Sequence, residues 1–107
     1  MDLSIVIPMF NEAENVKSTL DRVEEALSSF DGTYEIVAVN DGSLDNTFGI
    51  LNRLAEQDRE RKVVSYTKNI GRGIALRRGF QESEGRFRKD MGRDLLSKHE
   101  EREWETR

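Results

Sequence analysis

Short apolar runs alternate with longer amphipathic stretches along this chain, and each run ends in a polar turn. Leu3-Ser-Ile-Val-Ile7, Tyr34-Glu-Ile-Val-Ala-Val39 and Val63-Val-Ser-Tyr66 are rich in β-branched residues and predict three strands. The second, apolar without interruption from Ile36 to Val39, predicts a strand covered on both faces. Pro8, which lacks a backbone donor, is expected to end the first strand. From Glu12 to Phe30 the apolar residues Val16, Leu20, Val23, Leu27 and Phe30 recur at alternating steps of four and three against a charged background, which predicts a helix closed by Asp31-Gly32. A second helix is predicted from about Asn46 to Arg59, with Phe48, Leu51, Leu54 and Ala55 on one face. A third runs from Gly71 or Gly73 to Glu84, with Ile74, Leu76 and Phe80 available for packing and Gly79 weakening it. Strand and helix in strict alternation predict right-handed crossovers and a parallel, three-layer, Rossmann-like α/β core.

In such a sheet the turns that follow the strands open on one edge, where ligands bind. Residues 8–12, 40–45 and 68–73 therefore share a crevice, predicted to be lined by Asn11, Glu12, Asp41, Ser43, Lys68, Asn69 and the backbone of Gly71 to Gly73. Asp41 is the first candidate for a ligand contact: with Ser43 it could accept from a ring N–H of a base, or the pair could form an ordinary Asx-type turn. Glu12 could bond a base or ribose hydroxyl, or sit as a first-turn carboxylate on the helix dipole. Ser43 or Asp45 can cap the second helix, and capping is the favoured role of Asp45. Asn69-Ile-Gly71-Arg-Gly73 places flexible backbone at a helix start, where it could approach phosphate oxygens, with Lys68, Arg72, Arg77 and Arg78 adding positive charge. It is not the dinucleotide fingerprint, because it follows the third strand and Leu76 stands where the third glycine would fall.

Composition narrows the picture. At 107 residues the chain is one domain. Its net charge of -4 and isoelectric point near 5.1 give no basic face for nucleic acid. Cysteine is absent, which removes disulfides and thiolate metal sites, and no run is long and apolar enough to span a bilayer. The chain reads as cytoplasmic, compatible with a peripheral place at a membrane. After Gly85 the character changes: charged residues make up more than half of 86–107, against 36% of the chain. The sequence shows no strand signal there, and the organisation predicted is a core over 1–85 with a charged helical or disordered tail over 86–107. Asp90 and Asp94, four apart, would share a helical face, and neither His99 nor Trp104 has neighbours that suggest a site.

Three stretches together, Ser4-Ile-Val-Ile-Pro-Met-Phe-Asn-Glu12, Val39-Asn-Asp-Gly-Ser-Leu-Asp-Asn-Thr47 and Lys68-Asn-Ile-Gly-Arg-Gly-Ile-Ala-Leu-Arg-Arg-Gly-Phe80, resemble the N-terminal half of a family-2 glycosyltransferase, most closely the dolichol- and polyprenyl-phosphate sugar transferases. The resemblance implies a GT-A fold that binds a UDP- or GDP-linked sugar. Pro8, Phe10, Glu12 and Asp41 would surround base and ribose, Asn40 would stand where many members carry an aspartate, and the glycine turn with Arg77 would lie toward the phosphates. It also implies Mg²⁺ or Mn²⁺ held by an Asp-x-Asp motif shortly after Gly85, and that motif is absent from Arg86 to Arg107. The resemblance thus predicts a truncated, donor-binding half that does not transfer sugar by itself. The alternative is a non-catalytic nucleotide-binding or assembly module, self-associating through an open sheet edge or the tail.

Overall fold

The computed structural model describes residues 1–90 and the pair Glu105–Thr106. In chain order the elements are β1 (Leu3–Met9), α1 (Val16–Ala26), β2 (Tyr34–Asp41), α2 (Thr47–Glu56), β3 (Arg61–Tyr66), α3 (Arg72–Glu82), β4 (Phe87–Asp90) and β5 (Glu105–Thr106). They form one sheet in the order β3-β2-β1-β4-β5, with β1 to β4 parallel and β5 antiparallel to β4. The chain steps outward from β1 to β3 and then crosses back to lay β4 on the other side of β1. The direction of winding reverses there, so the carboxyl end of β1 is the switch point of the sheet.

Alternation along the central strands separates two cores. Leu3, Ile5, Ile7 and Met9 of β1 and Ile36 and Ala38 of β2 face α1 and α2, where Val16, Leu20, Val23 and Leu51 cover them. Val6, Val37 and Val39 face α3 and meet Ala75, Leu76 and Phe80. This is the expected three-layer Rossmann-like architecture.

Gly79 is where α3 comes closest: a Cβ there would lie 2.3 Å from Cγ1 of Val6 and 2.9 Å from Cγ2 of Val39. The glycine that weakens the helix in isolation is what lets the helix approach the sheet. Gly79→Ala gains about 1 kcal/mol of helix propensity but over-packs two stiff β-branched side chains, at a cost of about 1–3 kcal/mol. We expect a lower thermal midpoint; a rise would show that α3 has room to move outward.

The sheet continues past Gly85, which corrects the expectation that the charged segment carries no strand. Leu3 to Val6 of β1 pair with Phe87 to Asp90. Arg86 N–H donates to Met1 O at 3.1 Å and Phe87 N–H to Asp2 O at 3.0 Å, which starts the register. Phe-Arg-Lys-Asp has no apolar alternation, so the strand rests on backbone pairing to β1 rather than on its own propensity. Asp90 accordingly stands at a strand end rather than on a helical face, and Asp94 lies outside the described residues.

Boundaries shift as well. β1 runs through Pro8 to Met9, and Pro8 does not end it: it stays in register with Val39 of β2, and among the described residues no β4 partner lies opposite it. β2 absorbs Asn40 and Asp41, which pair with Ser65 and Tyr66 instead of forming the turn. The first helix starts at Val16, because Glu12 to Asn15 form a separate turn closed by Asn15 N–H donating to Glu12 O at 2.8 Å.

At the amino end of the sheet Glu35 is buried, 4% exposed, and ties three elements together. Its Oε2 accepts from the Ser4 hydroxyl at 2.6 Å and from the Glu84 amide, and its Oε1 pairs with Lys62 at 3.3 Å. Burial pushes its pKa up, but the Ser4 and Glu84 hydrogen bonds and Lys62 outweigh that and hold it below the ordinary carboxylate value. A depressed carboxylate contributes stability above its unfolded pKa and loses it as pH falls through the folded value. Glu35→Gln is therefore expected to lower stability at pH 7, and the deficit should be smaller at pH 3. Urea titrations at the two pH values check this, and a constant difference would show that the charge of Glu35 is irrelevant.

Candidate functional site

Two turns at the carboxyl edge are zipped to each other. Asn11, at φ 53°, donates its amide to Ser43 Oγ at 2.9 Å, and its side-chain oxygen accepts from the Leu44 amide at 2.7 Å. Glu12 N–H donates to Thr47 Oγ1 at 2.9 Å, and Ala13 N–H to Asp45 Oδ2 at 3.1 Å. Asp45 Oδ1 accepts from the Thr47 amide, the first of α2, at 3.0 Å, but the N-cap position itself is Asn46, which makes no side-chain cap bond, and Ser43 is spent on Asn11. The Thr47 hydroxyl, opposed by slight desolvation and helped by the Ala13 and Thr47 amides, holds the Asp45 carboxyl below its usual range.

The third turn is held by Asp41. The residue is 3% exposed. Oδ1 accepts from the Ile70 amide at 2.9 Å, and Oδ2 accepts from the Gly71 amide at 3.0 Å and from Asn69 Nδ2 at 3.1 Å. The carboxylate thus fixes the loop between β3 and α3. Each carboxylate oxygen can accept two bonds, and Oδ1, with one loop donor, keeps an accepting direction. Gly42 lets the loop come this close: at φ 65° it would place a Cβ 2.2 Å from both Asn69 N and the Lys68 carbonyl carbon.

Above these turns lies a cleft of about 550 Å³, within the range of small-molecule sites. Pro8, Phe10, Glu12, Asp41 and Gly71 line it, together with Asn69, so the structure brings these expected residues into one wall. Phe10 is 43% exposed, enough for a flat ring to stack on it. Glu12 is exposed and accepts from Asn15 Nδ2 at 3.2 Å. The others named from sequence sit outside the lining. Asn11 and Ser43 form the zip; Asn40 is buried, donating to Ser65 Oγ at 2.9 Å; and Lys68, Gly73 and Arg77 are exposed nearby on the loop and α3.

Sequence reasoning missed the α1 wall. Asn15, Ser18, Thr19 and Arg22 line the cleft at helical spacing, a polar stripe beside the apolar one that the periodicity assigns to solvent. Arg72, expected as one of the positive charges at the glycine turn, also lines it.

Glycosyl transferase family 2 is the family whose sequence model matches residues 4–88. An uncharacterized glycosyltransferase of Synechocystis sp. is 41% identical over 85 residues, which are 79% of this chain and 27% of that protein. The undecaprenyl-phosphate 4-deoxy-4-formamido-L-arabinose transferase of Pseudomonas syringae pv. syringae is 37% identical over 100 residues, 92% of this chain and 30% of that protein. Among solved structures, S. aureus TarS 1-349 in complex with UDP superposes with a TM-score of 0.73 at 26% identity, covering 88% of this chain and 28% of that one. The mannosyltransferase PcManGT from Pyrobaculum calidifontis, in complex with GDP-Man and Mn²⁺, superposes with a TM-score of 0.70 at 25% identity, covering 88% and 30%. The chain spans less than a third of the length of these relatives. Because the family match takes in β1 through the start of β4 and the sheet, switch point and cleft agree with it, this chain belongs to glycosyl transferase family 2.

Proposed function

We propose that residues 1–90 form the donor half of a nucleotide-sugar-dependent glycosyltransferase, holding a UDP- or GDP-linked sugar at the switch point. The observation that carries this is one cleft in which a stacking ring, two carboxylates and two guanidinium groups converge, from Phe10, Glu12, Asp41, Arg22 and Arg72. Phe10 would stack on the base, Asp41 Oδ1 would accept a ring N–H, and Glu12 would accept a ribose hydroxyl. Pro8 and Gly71 would shape the floor and rim, and Arg72 would meet the diphosphate. Asn11, Asn40 and Ser43 would serve indirectly by holding the turns, while Lys68, Gly73 and Arg77 would add positive charge and flexibility beside the phosphates. In a complete enzyme of this kind an acceptor oxygen, deprotonated by a base, displaces the nucleoside diphosphate from the sugar C1 with inversion. A polyprenyl phosphate is the acceptor class that the similarity to the undecaprenyl-phosphate transferase supports.

A divalent ion is the group such chemistry ordinarily employs to neutralise the leaving diphosphate. The described residues do not fit one. Both Asp41 oxygens are engaged by the loop, Asp90 offers a single unpaired oxygen, Oδ1, and no group of three acids or histidines converges among the described residues. Mg²⁺ and Mn²⁺ prefer octahedral oxygen shells, which these groups do not supply.

Titration of the chain with UDP, GDP and their sugar conjugates, with and without Mn²⁺, tests the reading by calorimetry. We expect saturable binding with a preference for one base. Glu12→Gln should weaken it by about fivefold, the difference between a hydrogen bond to a charged acceptor and one to a neutral acceptor. No heat and no amide shifts at millimolar ligand would overturn the donor reading.

A second reading, an assembly module, is favoured by β3, which has β2 on one side and no strand on the other among the described residues. Light scattering that returned a strict monomer would remove it. No described helix is long and apolar enough to cross a membrane.

A further inference from the structure

We propose that Arg72 is held away from the donor by Asp90, and that a diphosphate must take it from that carboxylate to bind. This rests on the donor reading above. Arg72 is the first residue of α3 and lines the cleft, whereas Asp90, at the carboxyl end of β4, does not. Register sets the pair: Asp90 lies beside Val6, whose side chain faces α3, so the carboxylate emerges under the start of that helix. Arg72 Nη2 donates to Asp90 Oδ2 at 2.5 Å. The contact is single-pronged, because Asp90 Oδ1 is buried without a partner among the described residues. A guanidinium can grip a carboxylate or a phosphate through two parallel bonds, so one gripped through a single bond has a better partner available in a diphosphate. The side chains are 43% and 32% exposed, which keeps the pair weak enough to exchange.

Cleft charge favours the same exchange. Glu12 and Asp41 bring two negative charges and Arg22 and Arg72 two positive ones, so with Arg72 neutralised by Asp90 the lining is net negative toward an incoming anion. Arg72 released to the diphosphate brings the lining to neutral. Asp90 is then a positioning residue acting through Arg72, one that tunes donor affinity downward in the free protein.

The test compares the parent chain with Asp90→Asn, Arg72→Gln and the double variant, titrated with inorganic pyrophosphate, with UDP and GDP, and with uridine and guanosine. Asp90→Asn should tighten pyrophosphate and the preferred nucleoside diphosphate by about two- to fivefold, the range of an exposed ion pair. Arg72→Gln should weaken both by about tenfold or more, the double variant should match Arg72→Gln, and the nucleosides, which carry no phosphate, should bind all four proteins alike. A merely structural role would move the nucleosides too, and that result overturns the proposal. So does unchanged or weaker diphosphate binding in Asp90→Asn. If the nucleoside diphosphates bind parent and Asp90→Asn equally, the exchange fails while the donor reading stands. If pyrophosphate responds as described but the base makes no difference, the exchange stands and the donor reading fails. Absence of binding by every probe removes both.

Discussion

Alanine at Gly42 is expected to cost about 2–5 kcal/mol and to abolish nucleotide binding. Two penalties add. At φ 65° a residue with a Cβ sits in the left-handed region, at about 1–2 kcal/mol. The new methyl would also lie 2.2 Å from Asn69 N and from the Lys68 carbonyl carbon, with Lys68 O at 2.7 Å. Those are backbone atoms, so no side-chain rotation relieves the clash, and over-packing of this kind costs a further ~1–3 kcal/mol. The loop cannot simply retreat, because Asp41 holds it by Ile70, Gly71 and Asn69. Against a stability of about 5–15 kcal/mol for a domain of this kind, the loss would show as a markedly lower urea midpoint. An unchanged midpoint would mean that the loop is free to shift, and would remove the rigid wall on which the cleft depends.

The same turn shows how far sequence alone reaches. Strand, turn and helix at Tyr34–Thr47 are legible because apolar runs and turn residues carry local signals, and the parallel order follows from strands separated by helices. The carboxyl-edge location follows from topology. What could not be read is which polar groups face one another across turns about 30 residues apart. Asn11, Ser43, Asp45 and Thr47 belong to ordinary turn chemistry when taken singly, and only the sheet shows that they bind one turn to the next. Asp41 was legible as important, but not that its carboxylate accepts from three donors of the following turn.

β4 was hidden for a different reason. Its residues carry no period-two pattern because the strand is specified by its neighbour: Ser4 accepts from the Gly85 amide at 2.7 Å, and a Cβ at Gly85 would lie 2.5 Å from Ser4 N. Glycine at that point is a requirement of close approach, and no local propensity encodes it. The α1 wall was hidden by the opposite effect. A polar stripe on an amphipathic helix has two meanings, solvent or site, and periodicity does not distinguish them.

Replacing Asp41 separates these roles. Asp41→Ala removes the acceptor of the Ile70 and Gly71 amides and of Asn69 Nδ2, and leaves three part-buried donors without it, at up to about 1–3 kcal/mol each. We expect a loss of about 3 kcal/mol or more and no detectable binding of UDP or GDP. Asp41→Asn is the sharper probe. The amide keeps one oxygen and turns the other into a donor, and both carboxylate positions face an N–H, so either orientation sets donor against donor. Stability should fall by about 2 kcal/mol, the cost of one unpaired buried group, while the fold persists. Nucleotide affinity then decides the mechanism. If Asp41 only shapes the loop, Asp41→Asn should weaken UDP, GDP, uridine and guanosine alike, in proportion to the loop it has loosened. If Oδ1 also accepts from the base, the preference between bases should collapse, because the group that reads a ring N–H is halved in strength or replaced by a donor. Retained affinity with retained base preference would place recognition elsewhere, on Glu12 and Phe10, and would leave Asp41 as the pin of the loop alone.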